Sequence, residues 1–311
     1  MDARNASIPA GARHWVPRPE LDAACGERLR EAILDGLWVA GTLDGLRAPC
    51  VAVVGTRSPS DDGRRRARRL AHELARSGVC VVSGLALGVD GAAHEGALAA
   101  HAPTVGVLGG GHDHFFPPRH RDLAARIAAE GGAVVSPFAP DVVPKPWLFL
   151  ARNAIIAALA DAVVVVEAAG RSGALNTAGH AADRGIPVLA FPGDVDRPKA
   201  AGCNALIRDG ATLVRDADDV LAALPPPLAR ALHRTDAAVA SPADAVASAD
   251  EPPHAPRVLA SLRDGACDAA ALADRIDLPP AVLFALLGEL ELSGRIVHGA
   301  DGYTITRHPR D

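Results

Sequence analysis

Aromatic side chains are scarce in this chain, with six Phe, three Trp and one Tyr among 311 residues, so a ring beside a charged motif is notable. Cysteine offers no scaffold. The five thiols (Cys25, Cys50, Cys80, Cys203 and Cys267) are odd in number and lack CxxC spacing, which argues against a disulfide framework and against a zinc site built on thiolates. No uninterrupted apolar run reaches the roughly 18 residues of a membrane helix, and the opening MDARNASIPAGARHW lacks the apolar core of a signal peptide. A cytoplasmic protein without membrane contact is expected. No GxSxG elbow occurs, leaving a Ser/His/Asp hydrolase without support. The net charge of −5 supplies no global attraction to nucleic acid, so any such binding requires a local basic groove.

What the chain does have is a repeated phrase, a β-branched run followed by a glycine-rich turn. VAVV at 51–54, VCVV at 79–82, TVGVL at 104–108, AVVS at 133–136, AVVVV at 162–166 and PVLAF at 187–191 alternate with helix-length segments. Continuous apolar runs predict strands covered on both faces, hence a Rossmann-like, doubly wound parallel sheet in an α/β fold. Ligands of such a sheet sit beyond its strands' carboxyl ends. There the chain reads Gly55-Thr56-Arg57, then SGLALGVDGAAH from Ser83 and Gly84, GGG around Gly110, EAAGRSGALNTA with Ser172, Gly173 and Thr177, and PGD at 192–194. Glycine lets backbone amides approach a phosphate, hydroxyls add donors, and free amides are expected where the turn at Gly55 enters the next helix. Each turn alone could be only a tight connection; five on one edge point to a polyanion site.

Four further regions are predicted. Residues 1–36 read as a loosely ordered arm with a helix over Leu21–Leu34, and 37–224 as the Rossmann-like domain, opening on a short strand at 37–41. Residues 225–256 form a Pro/Ala-rich linker, and 257–311 a winged helix of three helical stretches and a hairpin. The winged helix's third helix is nearly bare of cations, so a protein-contact or structural role competes with DNA reading.

The phrases VAVVGTR, VVSGLALGVDGAAHEGAL, TVGVLGGG with FFPPRHRDL, PKPWLFLARNAIIAAL, VVVEAAGRSGALNTAGHA and GCNALIRDGATLV resemble, in order and spacing, the signature blocks of the DprA/Smf DNA-processing family. The resemblance spans about residues 37–224. It implies a homodimeric, non-enzymatic, cofactor-free protein that binds single-stranded DNA, protects incoming DNA in natural transformation and helps load the RecA recombinase. It also implies that Arg57 pairs with a phosphate, against a bridge to Asp61 or Asp62; that Lys145 and Arg152 with Asn153 form a basic wall; and that Asn204 belongs to the G-x-N block. The chain departs from the family pattern at Leu87, Ala154 and Ala205, where cations are usual, and at Ser136-Pro137. Fewer cations predict weaker and less salt-sensitive binding.

Other constellations have two readings each. Arg64, Arg65, Arg66, Arg68 and Arg69 form either a solvated helix face or a DNA-backbone track. Trp147 either stacks on a base or packs under its loop. His112, Asp113, His114 and His120 lack the helical spacing of a zinc pair, and no metal is expected. A nucleotide-binding sensor, with Glu167 on a ribose hydroxyl, is the main alternative function. A LOG-like nucleotide hydrolase also competes, but His180 stands where its glutamate would be.

Overall fold

The structure, a computed structural model, describes residues 13–225 except 30, 31 and 33, residues 254–262, and parts of 272–305. The chain divides into two compact units, 1–239 and 240–311. Most of the stretch read as a linker, and most of the second and third helical stretches of the winged helix, lie outside the described residues.

The first unit is built on a nine-stranded sheet: β1 (Arg13–Pro17), β2 (Gly36–Gly41), β3 (Cys50–Val54), β4 (Cys80–Ser83), β5 (Thr104–Val107), β6 (Ala133–Ser136), β7 (Ala162–Val165), β8 (Val188–Ala190) and β9 (Thr212–Leu213). The order across the sheet is β1-β2-β6-β5-β4-β3-β7-β8-β9, parallel from β6 to β9. The β-branched runs foresaw this: Cys50, Ala52 and Val54 of β3 join one core, while Val51 and Val53 join the core on the opposite face. Helices α1 (Arg18–Cys25), α5 (Pro146–Ala158), α6 (Gly173–Ala182) and α7 (Ala201–Arg208) contribute to the first core; α2 (Asp61–Arg76), α3 (Val89–Ala99) and α8 (Ala217–Ala223) cover the second. Helix α4 (Arg121–Ala129) packs its Leu123, Ala124 and Ile127 with Val134 of β6.

The arm differs from its sequence reading. Residues 13–17 are a strand pairing antiparallel with β2, which in turn pairs antiparallel with β6; the helix expected over 21–34 is an α-helix at Arg18–Cys25 followed by a 3-10 turn at Gly26–Leu29, with residues 30, 31 and 33 of the expected span outside the described residues. Trp15 faces Trp38 across the pair with ring centroids 5.6 Å apart. Arg18 closes the segment by donating to the carbonyls of Leu29 and Ala32. The strand's short length and the proline that ends it, Pro17, hid it from a periodicity reading.

Chain direction matters most at the middle of the sheet. From β3 the chain moves outward through β4, β5 and β6, then returns to place β7 on the other side of β3 and moves outward again through β8 and β9. The loops after β3 and β7 therefore diverge to opposite faces and leave a crevice between them, where a doubly wound sheet binds its ligands.

In the second unit, α9 (Ala255–Leu262) and the antiparallel hairpin β10 (Ile296–Gly299) and β11 (Gly302–Ile305) share a core of Val258, Leu262, Leu272, Ile276, Leu283, Leu286, Leu287, Leu290 and Ile296.

Candidate nucleic-acid interface

The crevice between the β3 and β7 loops holds about 470 Å³. Of the residues singled out in the sequence, it brings together Gly55, Arg57, Lys145, Arg152, Asn153, Ser172, Gly173 and Thr177. Its wall is the first part of α5, which begins at Pro146, a residue whose fixed φ suits a helix start. On that helix Phe149 is central: the guanidinium carbons of Arg57 and Arg152 lie 5.4 and 5.9 Å from its ring centroid, and Phe116 meets it edge-on at 5.9 Å. Arg57 therefore points to an aromatic wall instead of toward Asp62, which pairs with Arg65. At the mouth, the Lys145 ammonium sits 5.2 Å from the ring of Trp147, and Trp147 is 61% exposed, as expected of a stacking surface and not of packing under the loop. Only Lys145 and Lys199 are lysines among the chain's 32 basic side chains, so the mobile ammonium at this mouth stands out.

Arg152 lines the crevice with Lys145, but from a buried position. It is 3% exposed, and its Nη1 donates to the carbonyls of Gly84 and Val107, tying α5 to the ends of β4 and β5. Burial first, then the charge of Arg57, lowers its pKa to about 10, an effect partly offset by the buried carboxylate of Asp90. Its Nε faces no partner. The spacing of Leu148, Arg152 and Ile156 gave a signal for this, because residues at i, i+4 and i+8 share a helix face and Ile156 is core.

The turns differ in what fills them. After β3, helix α2 starts at Asp61, and its entrance is occupied by the protein: Ser60 Oγ accepts from the Gly63 amide, and Glu167 Oε2 accepts from the Ser60 amide at 2.8 Å. Those two amides are thus taken, and Glu167, considered for a ribose, is part of the cap. After β4, Asp90 Oδ2 accepts from the amides of Gly84 and Ala86. Asp90 is buried, which raises its pKa, while Arg152 lowers it. Gly84 consequently offers no amide to a phosphate, and Ser83 is fully buried with its hydroxyl donating to Val53 O at 2.7 Å. Sequence reasoning missed Asp90, although an acid in the first turn after a glycine-rich loop is the residue type that fills such a nest.

After β7 the arrangement is open. Ser172 caps α6 by accepting from the Ala174 amide, and a Cβ at exposed Gly173 would meet nothing within 4 Å. Asn153 Nδ2 donates to Gly173 O and to Asn176, fixing this turn against α5. Thr177 is buried on the crevice floor.

Three further positions stand apart from the crevice. Gly110 is buried against Pro144, and its carbonyl accepts from Ser136 Oγ. Asn204 pairs with both backbone groups of Gly193 and braces the loop after β8. Thr56 lies beside the crevice, its Oγ1 accepting from the Ser58 amide. Among the histidines considered for a metal, His112 bonds Val134 O and His120 bonds Leu85 O. Among the described residues no His/Cys/Asp/Glu group could hold a metal ion, and no helix is long and apolar enough to cross a membrane.

Residues 29–225 match the family model of DNA recombination-mediator protein A. The chain belongs to that family. A second match, to the DprA winged helix domain, covers residues 241–302. Among relatives of this DprA family, the chain is 39% identical to Protein Smf of Escherichia coli over 274 residues, which is 87% of the chain and 71% of that protein. It is 46% identical to a putative DNA processing protein DprA of Mycobacterium tuberculosis over 187 residues, 60% of the chain and 48% of that protein. The chain thus spans about half the length of that second relative. Two solved structures share the fold. DNA processing protein A from Streptococcus pneumoniae has a TM-score of 0.63 at 36% identity, over 68% of this chain and 74% of that one. The protein from Helicobacter pylori, studied for its single-stranded DNA binding mode, has a TM-score of 0.60 at 27% identity, over 72% of this chain and 96% of that one.

Proposed function

We propose that this chain binds single-stranded DNA in the crevice between the β3 and β7 loops, protects DNA entering in natural transformation and passes the strand to a RecA recombinase. The observation that carries the reading is the meeting of two exposed cations, Arg57 and Lys145, with the rings of Phe149, Phe116 and Trp147 at one opening. Phosphates and bases of a single strand need that combination of charge and stacking surface. The open α6 turn at Ser172 and Gly173 adds amide donors beside them.

The role is binding and not catalysis. Asp90 is the carboxylate that lines the crevice, and the same Oδ2 accepts from two backbone amides, which suits a structural anion better than a general base. The sensor alternative loses its ribose partner, because Glu167 caps α2. A homodimer through the sheet edge fits the exposure of Leu213 on β9, the last strand in the order. The relatives' names, which speak of DNA processing and recombination mediation, support the cellular role.

The test is fluorescence anisotropy with labelled oligo(dT). Arg57→Ala and Lys145→Ala should each weaken binding about tenfold, the scale of one charge-assisted hydrogen bond. Unchanged affinity in both variants would overturn the reading.

A further inference from the structure

The arginines of α2 lie outside the crevice. The helix turns Ala67, Leu70, Ala71 and Leu74 to the core, leaving Arg64, Arg65, Arg68 and Arg69 exposed, while Arg66 lies 5.1 Å from the ring of Phe191. Between the side chains runs a groove of about 640 Å³, lined by Asp62, Arg65, Arg66, Arg68, Arg69 and His72. From Asp62 to His72 it follows the helix axis for about 15 Å.

Charge along this helix is lopsided. Six arginines face three carboxylates between Asp61 and Arg76, a local excess of three positive charges in a chain of net −5. Asp62 pairs with Arg65, and Glu73 lies 3.8 Å from Arg69. Among the described residues Arg64 and Arg68 have no ion-pair partner.

We infer that the α2 groove is a second polyanion track, which takes the sugar–phosphate backbone of a single DNA strand continuing beyond the crevice. This rests on the crevice reading given above. Forked guanidinium groups match phosphate oxygens. Ala99 is the one apolar side chain lining the groove and His72 the one ring, so the surface has neither a row of stacking platforms for bases nor the apolar centre that a protein interface requires. Contact is therefore to backbone, without sequence preference. Continuity comes from the chain: Arg57 lines the crevice, and the groove opens at Asp62 in the first turn of the next helix.

The experiment compares oligo(dT) of increasing length by anisotropy over a salt series, using the full chain, the triple variant Arg65→Gln, Arg68→Gln, Arg69→Gln, and Arg57→Ala. Glutamine keeps helix propensity, and unchanged thermal melting checks the fold. The triple variant should bind the shortest oligonucleotides like the parent but lose the gain with length, its salt slope falling by about 2, or about 0.7 per lost contact on a single strand. Arg68→Glu alone should also lower long-strand affinity. If the triple variant follows the parent at every length, the track is refuted and the face is left to an acidic protein surface. If Arg57→Ala binds normally while the triple variant loses even the shortest strands, the crevice reading fails and this inference falls with it. No binding by the parent chain would refute both.

Discussion

Two strand-to-helix turns flank the same crevice and have opposite fates. After β3, the entrance of α2 is closed by Ser60 and by a glutamate from the end of β7; after β7, the entrance of α6 is open at Gly173. The loop after β4 joins the closed group, because Asp90 fills it. Both kinds read alike as glycine-rich turns after apolar strands. What separates them is whether the chain supplies its own anion. A carboxylate in the nest fixes the loop and removes it from ligand binding, whereas an empty turn leaves amides for a phosphate.

Emptying a closed turn should have the largest effect. Asp90→Ala leaves the Gly84 and Ala86 amides unsatisfied and removes the charge that offsets buried Arg152, so unfolding in urea should show a loss of about 3 kcal/mol. Asp90→Asn, which keeps an acceptor, should recover part of it.

Filling the open turn is the converse. Gly173→Asp has room for its side chain and should leave stability unchanged while lowering oligo(dT) affinity about tenfold, as a fixed carboxylate repels phosphate. Loss of stability with intact binding would reverse the assignment of open and closed. The α2 cap predicts a smaller change: Glu167→Ala should cost about 1 kcal/mol of stability without weakening DNA binding. A marked loss of binding would mean that Glu167 serves the ligand after all.

The closed side also carries a pH dependence. His94 of α3 is fully buried and bonds Thr104 at 2.8 Å, and burial, with His120 and Arg152 nearby, lowers its pKa from 6.5 to about 3. Its folded value lies below its unfolded one, so the contribution is present above pH 6.5 and lost as pH falls toward 3. The slope is about 1.4 kcal/mol per pH unit. Replacing His94 with Gln should flatten the acid limb of stability measured by urea unfolding.

The parallel sheet was legible because continuous runs such as Val51–Val54 and Ala162–Val166 leave little alternative to strands buried on both faces. Arg57 and Gly173 were legible as crevice residues because loops at strand ends converge where the order reverses, and Lys145 was legible through the family resemblance. The filling of the turns was not. Glu167 lies 107 residues from Ser60, and only the pairing of β3 with β7 brings them together. Arg152 and Ser83 looked like ligand residues by type, yet are buried and donate to backbone carbonyls. Strand β1 was hidden by its length and its proline.

The most direct measurement is hydrogen exchange of the full chain with and without oligo(dT). Added protection is expected in the loop at 55–57, around Lys145 to Phe149 and at the α6 entrance near Gly173, with no change at the Gly63 amide, which is already bonded to Ser60 Oγ. Protection confined to the α2 entrance or the Gly84 loop, with none at the α6 turn, would contradict it.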